Sequence, residues 1–457
     1  MPDARERRPD DLFGTDGVRG TAGVEVTPEL ATTVARAFAT LLPEDTAEPT
    51  VLVARDTRPS GPELADAMRD ELCRLGVSVQ DCGVLPTGGL CLLVRERGAD
   101  GGVIISASHN PPDSNGIKLV GRGGHKLPLD SQHRVEDLIR TQAQAPPEDV
   151  ATPAPCIDDP EAAEDSLRLI LTDLPPGSLD GLRVVLDCAH GSASRVAPIA
   201  FERVGANVSA INCDGDGTRI NVDCGSTHPG ALARAVVMQG ADLGVAFDGD
   251  ADRAVLVSGE GEIVDGDASK YILAMDLRRK GLLTPPLVIG TVMNNYGLER
   301  ALTAEGIGLE RTPVGDRHVV ERMRETGARL GGEQSGHIIF PETLIGDGVY
   351  TALRICEVVT RTGRTLAALA RPVGKIPQHL VNIRAEKRKA WRECQEVLDE
   401  IARWERRLEG QGRILVRSSG TEPLVRVMVE AEDDEIAREA VHAISVAIRM
   451  ACARAEA

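Results

Sequence analysis

The residues with the most chemical capacity lie in a few short polar stretches. Ser106-Ala107-Ser108-His109-Asn110-Pro111 sets a hydroxyl, Ser108, beside an imidazole, His109, with the ammonium of Lys118 ten residues on. A serine so placed can accept a phosphoryl group and return it, with His109 or Lys118 as the acid or base. Asp248-Gly249-Asp250-Ala251-Asp252-Arg253 puts three carboxylates at alternate positions and ends in a guanidinium. In a straight strand these carboxylates would crowd one face. A positive φ at Gly249 would let Asp248, Asp250 and Asp252 wrap one cation instead. Hard oxygen ligands imply Mg²⁺ or Ca²⁺. The EF-hand pattern fails, because Arg253 stands at its glycine position and Gly259 at its closing glutamate. Three single-oxygen carboxylates plus a phosphate oxygen suit Mg²⁺ better.

Three further stretches offer binding groups. Gly331-Gly332-Glu333-Gln334-Ser335-Gly336-His337 gathers a carboxylate, a hydroxyl and an imidazole among glycines. A carboxylate can accept two hydrogen bonds from neighbouring sugar hydroxyls. Glu333 and Ser335 therefore read as hydroxyl readers, with His337 beside them. Arg417-Ser418-Ser419-Gly420-Thr421-Glu422-Pro423 presents a guanidinium, three hydroxyls and several amides, and Arg426 follows close by. That inventory suits a phosphate monoester, and it is not a Walker loop. Phe13-Gly14-Thr15-Asp16-Gly17-Val18-Arg19-Gly20 can turn tightly against a ligand, with Arg19 as a fixed positive charge. Each stretch also has a plainer reading as a polar turn. Their joint occurrence, each after an apolar strand or at a domain start, is what argues for a site.

The elements that would position these loops alternate between strand and helix. Thr27 caps a helix to Leu42 with Pro28 in its first turn, Val51–Ala54 is a strand, Gly61–Leu75 an amphipathic helix and Val77–Asp81 a strand. Gly102–Ile105 leads into the Ser108 loop. Ligands bind at such strand ends in α/β sheets. Leu182–Asp187, Val208–Ile211 and Asp242–Phe247 repeat the pattern before the aspartates, and Pro286–Val292 starts a third unit. The alternation predicts mainly parallel sheets. Arg413–Val416, a polar turn, Leu424–Val429 and a helix over Asp433–Arg454 form a last, smaller unit.

A chain of 457 residues is too long for one core and predicts about three or four domains. The expected boundaries are 1–150, 156–258, 259–372 and 373–457, with a linker rich in Ala, Pro and acid over 143–160. Aromatic residues are only 2%, so the core must be mainly Val, Leu, Ile and Ala. A net charge of −18 argues against nucleic acid and anionic membranes as partners. It still allows a small phosphorylated ligand in a local basic cleft. No stretch reaches membrane-helix length, and the charged residues 1–11 read as a tail with no signal peptide. Ten scattered cysteines without a Cys-x-x-Cys pair read as reduced thiols of a cytoplasmic protein. A homodimer stays an open expectation.

Together Phe13–Gly20, Ser106–Lys118, Asp248–Arg253, Gly332–His337 and Arg417–Pro423 resemble the α-D-phosphohexomutase superfamily, in its order and from end to end. The phosphoglucosamine branch is the most similar, because Gln334 stands where phosphomannomutases and phosphoglucomutases commonly have Met, and Arg311–Arg317 fits that branch. Pro112, Ser114 and His318 depart from the usual pattern. The resemblance implies three related α/β domains with mixed sheets and a smaller C-terminal α+β domain around a central cleft. It implies a phosphorylated Ser108, and one Mg²⁺ held by Asp248, Asp250, Asp252 and a phosphoserine oxygen. Arg19, Lys118 and Arg253 would add positive charge, and Arg417, Ser418, Ser419, Gly420, Thr421 and Arg426 would hold the non-reacting phosphate. The implied reaction interconverts glucosamine 6-phosphate and glucosamine 1-phosphate through a bound hexosamine 1,6-bisphosphate, for UDP-N-acetylglucosamine and cell-wall synthesis. Glucose or mannose phosphates as substrates, hydrolysis of a sugar phosphate, and a non-catalytic sensor remain as rivals.

Overall fold

The computed structural model describes residues 12–14, 17–43, 46, 48–142, 153–343, 345–418 and 423–456. The expected tail and most of the expected linker lie outside the described residues. The chain forms two compact units, one built from Leu12–Thr291 and Ile307–Arg371, the other from Val292–Gly306 and Pro372–Ala457.

The first unit holds three sheets. The six-stranded sheet runs in the order Val18–Thr21, Ser114–Gly121, Gly101–Ile105, Thr50–Arg55, Ser78–Val84, Cys156–Asp158. Its last three pairings are parallel and its first two antiparallel. The second sheet pairs Arg183–Asp187 in parallel with Asn207–Ile211 and Leu243–Phe247, then adds Ala254–Ser258 and Ile263–Val264 antiparallel. The third joins Gly308–Thr312, Leu287–Thr291, Gly331–Gly332 and Ile338–Ile339.

The sheets are therefore mixed, as the resemblance implies, and loop length decides which strands return antiparallel. A parallel return needs a crossover of a dozen or more residues. Residues 106–113 and 248–253 are too few, so Ser114–Gly121 and Ala254–Ser258 must come back antiparallel. The Ser108 and Asp248 loops are thus tight reversals at the ends of fully buried strands.

Three expected boundaries move. Cys156–Asp158 pairs with Ser78–Val84, covering the backbone of what would be an exposed sheet edge, so it belongs to the first domain. Ile263–Val264 completes the second sheet. Val292–Gly306 groups with the C-terminal segment rather than with the third sheet. There Glu430 is buried and accepts from Tyr296 N at 2.9 Å, Asn295 Nδ2 at 3.2 Å and Arg413 Nε at 2.5 Å. In this second unit Gln378–Arg384, Leu424–Ala431 and Gly412–Ser418 form an antiparallel sheet packed on the helix Asp434–Glu456.

Helix starts follow their caps. Thr27 accepts from Leu30 N at 3.2 Å and Pro28 opens the helix Pro28–Ala39. Phe38 of that helix packs over the strand that leads to Ser108. A Cβ on Gly101 would stand 2.6 Å from its ring. Gly101→Ala should therefore destabilise the protein by about 1–3 kcal/mol in urea unfolding, and adding Phe38→Leu should recover part of that loss. Additive losses in the double variant would contradict this packing.

Candidate active site

Ser108 follows its strand in a left-handed backbone conformation, φ 53°, which a non-glycine residue holds only under constraint. The constraint is Arg58, which is wholly buried. Its guanidinium donates to the carbonyls of Ser108 at 3.0 Å, Asn110 at 2.8 Å and Ser114 at 2.8 Å, and also to that of Pro111. Asp56 holds Arg58 Nε at 2.9 Å and accepts from Ser106 Oγ at 2.6 Å. Ser106 Oγ in turn accepts from Ser108 N at 2.9 Å. From the second domain, Asn221 Nδ2 donates to the Ser108 and Asn110 carbonyls at 2.8 and 3.0 Å.

This clamp aims the Ser108 hydroxyl at the aspartates. Its Oγ donates to Asp248 Oδ2 at 2.6 Å and lies 3.4 Å from His109 Nδ1. Asp248, Asp250 and Asp252 are all buried, with one oxygen from each within 4.8 Å of the others. The turn is made differently from the sequence expectation. Ala251, not Gly249, takes the positive φ, at 56°. Gly249 is needed for space, because a Cβ there would stand 2.6 Å from the Ser108 carbonyl.

Cations surround the triplet. Lys118 Nζ donates to Asp250 Oδ2 at 2.6 Å and to Asp252 Oδ2 at 3.2 Å. Thr87 Oγ1 donates to the same Asp250 oxygen at 2.6 Å. Arg253 Nε stands 3.9 Å from Asp248 and 3.8 Å from Asp252. Burial, reinforced by the neighbouring Asp252 and Asp250, pushes Asp248 up to about 8. Burial would also raise Asp252, but Lys118 and His337 hold it well below the usual range. Asp250 Oδ1 and Asp252 Oδ1 are buried with no hydrogen-bond partner. Converging hard oxygens, two of them unsatisfied, fit a metal ion.

Among the described residues, the other sequence candidates divide. His109 is lowered to about 4 by burial and by Arg253 and Arg19, so it is a neutral imidazole at neutral pH. Arg19 sits opposite Gly116 on the strand paired with the one carrying Lys118. Glu333 and Ser335 lie in the hairpin between Gly331–Gly332 and Ile338–Ile339; Glu333 accepts from Gly315 N at 3.2 Å and Ser335 Oγ at 3.4 Å. His337 is engaged on the aspartate side of the hairpin. It is buried, 3.4 Å from Asp252 and 3.4 Å from Asp316, and these carboxylates raise it to about 10 against the effect of burial.

In the C-terminal sheet Arg417 and Arg426 are directly opposite across the strand pair. Like charges directly opposite in a strand pair are destabilising. Burial and Arg426 lower Arg417. Ser418 is committed elsewhere: its hydroxyl donates to the Arg388 carbonyl at 2.6 Å and accepts from Trp391 Nε1 at 3.3 Å. It is therefore part of the scaffold rather than a phosphate donor. Ser419, Gly420 and Thr421, like Thr15 and Asp16, lie outside the described residues. Asp56, Arg58, Thr87, Asn221 and Asp316 escaped the sequence reading. Only the Arg55-Asp56-Thr57-Arg58 run at a strand end hinted at them.

Domain profiles of one family match the chain in series. They are phosphoglucomutase/phosphomannomutase alpha/beta/alpha domain I over 10–146, domain II over 171–261, domain III over 265–375 and the C-terminal domain over 380–446. The phosphoglucosamine mutase of Rhodococcus opacus strain B4 is 48% identical over 431 residues, 94% of this chain and 97% of that protein. That of Desulforudis audaxviator strain MP104C is 46% identical over 432 residues, 94% and 96% of the two chains. The chain belongs to the phosphoglucosamine mutases of this family. As a phosphoglucosamine mutase family member it is an isomerase of carbohydrate metabolism. A phosphoglucomutase/phosphomannomutase family protein of Burkholderia thailandensis has a TM-score of 0.80 at 26% identity, covering 96% of this chain and 97% of that one. The structure of the Aspergillus fumigatus N-acetylphosphoglucosamine mutase in complex with GlcNAc-6P and magnesium has a TM-score of 0.63 at 17% identity, covering 96% of each, a likeness of fold alone. No helix among the described residues of this phosphoglucosamine mutase family member is long and apolar enough to cross a membrane.

The clamp can be tested apart from turnover. Arg58→Met leaves Asp56 buried without its partner and should cost about 3–5 kcal/mol in urea unfolding. Asp56→Asn in the same background should recover part of this. A cost below about 1 kcal/mol, the range of an exposed pair, would contradict the clamp.

Proposed function

We propose that this chain interconverts glucosamine 6-phosphate and glucosamine 1-phosphate, with Ser108 as the phosphoryl carrier. The observation that carries the reading is the 2.6 Å hydrogen bond from the Ser108 hydroxyl to the buried aspartate triplet. Asp248, Asp250, Asp252 and an oxygen of phosphorylated Ser108 would hold Mg²⁺. When bound, Mg²⁺ supplies Lewis-acid charge to the equatorial oxygens of the transferring group.

The chain's own residues do the rest. Arg58 and Asn221 fix the backbone on which Ser108 Oγ is presented, which supports in-line geometry. Lys118, held against Asp250 and Asp252, would with Arg19 and Arg253 add positive charge for a dianionic substrate. Neutral His109, next to Ser108, can take a proton without breaking an ion pair and is the better placed of the two proton carriers. Glu333 and Ser335 would read sugar hydroxyls. Arg417 and Arg426 would hold the non-reacting phosphate, so a 1,6-bisphosphate can present either end to Ser108. The phosphoryl group passes from Ser108 to one sugar hydroxyl, whose proton is taken up by the base, and the phosphoryl group at the other end then passes to Ser108, leaving its sugar oxygen to regain a proton as a hydroxyl.

Phosphorus NMR with Mg²⁺ and trace hexose 1,6-bisphosphate, on glucosamine, glucose and mannose 6-phosphates in turn, tests the substrate. Glucosamine 1-phosphate should form fastest. Faster turnover of glucose or mannose phosphate would reassign the substrate, and inorganic phosphate as the main product would replace the mutase by a hydrolase. Asp250→Asn should lose turnover by at least about a hundredfold and need more Mg²⁺ for what remains. An unchanged Mg²⁺ dependence would remove the triplet from the metal site.

A further inference from the structure

Two cysteines outside this chemistry meet beneath the aspartate loop. Asp187 pairs with Ile211 at the end of two parallel strands. The pairing continues beyond them, with Cys188 N donating to the Ile211 carbonyl at 3.2 Å and His190 N to the Asn212 carbonyl at 2.7 Å. Cys188 and Cys213 are thereby brought to the same strand ends, where the two thiols interact. Cys188 is buried and Cys213 half-buried, and Cys213 Sγ donates to the Ser194 carbonyl at 3.5 Å.

The backbone around both is constrained and leads to the site. Ala189 and His190, after Cys188, have φ 51° and 53°, and Asn212, before Cys213, has φ 48°. None is a glycine, so this is costly geometry held by its surroundings. Ser192 N donates to the Gly249 carbonyl at 2.8 Å, and a Cβ on Gly191 would stand 2.3 Å from that oxygen. No slack therefore separates this segment from the turn between Asp248 and Asp250.

We propose that Cys188 and Cys213 form a reversible dithiol–disulfide couple, oxidised by hydroperoxides, whose disulfide form disturbs the aspartate loop through Gly191 and Ser192. Cys213 is the first nucleophile, since it is the more accessible. The hydrogen bond from Cys188 also lowers it to about 7 against the effect of burial. Its thiolate takes one oxygen from the hydroperoxide, breaking the O–O bond and releasing an alcohol, or water from hydrogen peroxide. This leaves a sulfenic acid on Cys213. The Cys188 sulfur attacks that sulfur, and the displaced hydroxide leaves as water with the Cys188 proton. Two thiols lose two electrons and the hydroperoxide gains them. A disulfide of about 2.05 Å is much shorter than a thiol hydrogen bond, so it draws the strand ends together and removes the Cys213 bond to Ser194. Small thiols reverse it by exchange.

The linkage itself does not depend on the substrate reading above. The full chain is treated with hydrogen peroxide, alkylated, digested without reduction and analysed by mass spectrometry, with amide exchange of the 248–253 peptide and mutase turnover followed in parallel. A linked Cys188–Cys213 peptide should appear and vanish with dithiothreitol. Exchange in 248–253 should rise, and turnover should fall reversibly on the order of tenfold, as a small misplacement of catalytic groups requires. Cys213→Ser, at a half-buried position, and Cys188→Ala should keep the starting turnover and lose this response. Absence of the linked peptide overturns the couple, including the case where Cys73, which also contacts Cys156, links instead. Linkage with unchanged exchange in 248–253, or an equal response in Cys213→Ser, overturns its connection to the loop. Turnover absent before oxidation would count against the substrate reading and leave the linkage and exchange results to decide this one.

Discussion

Three carboxylates buried within 4.8 Å of one another are the constraint on which the rest of the first unit depends. Placed in a low-dielectric interior they repel, and desolvation adds to the cost of each charge. Lys118, Arg253 and His337 answer much of it. The crowding still shows in the upward shift of Asp248 to about 8 and in the unsatisfied Asp250 Oδ1 and Asp252 Oδ1. Such a triplet could bind a metal ion, and the surrounding structure is what prevents the aspartates from relieving their repulsion by moving apart.

That structure is assembled from separate parts of the chain. The Asp248 loop is a tight reversal that cannot carry a side chain at 249. The Ser108 loop presses its carbonyl against that gap and is held there by Arg58 from one strand end and Asn221 from the second domain. His337 closes the far side, between Asp252 and Asp316, with Lys126 paired to Asp316 beyond it. Arg58, Asp56, His337, Asp252 and Asp316 are buried and paired, so loss of one leaves a partner's charge buried without compensation. Geometry at Ser108 is therefore set by groups that need never touch a substrate.

Much of this was legible in the sequence where pattern is local. The apolar runs before Ser108 and Asp248, the capped helix at Thr27 and the alternating carboxylates all state their structure over a few residues. Alternation alone did not give the antiparallel returns, which the resemblance implied and which the short spacings 106–113 and 248–253 require. Roles that depend on distant partners were hidden. His337 looks like its neighbours Glu333 and Ser335 until Asp252 and Asp316 appear on either side of it. Ser418 looks like a phosphate donor until its hydroxyl is seen donating to the Arg388 carbonyl. Arg58 is one arginine among many in a chain whose basic residues are mostly arginine. The positive φ fell on Ala251 because space, not backbone freedom, was the scarcer quantity at Gly249.

The account rests on Ser108 as the phosphoryl carrier, and the mass of the purified protein tests this most directly. Intact-mass and peptide analysis of the protein as purified should find one extra phosphoryl group in a fraction of chains, confined to the peptide containing Ser108 and absent from Ser108→Ala. Wild-type-like turnover in Ser108→Ala, or a phosphoryl group that remains in that variant, would contradict it.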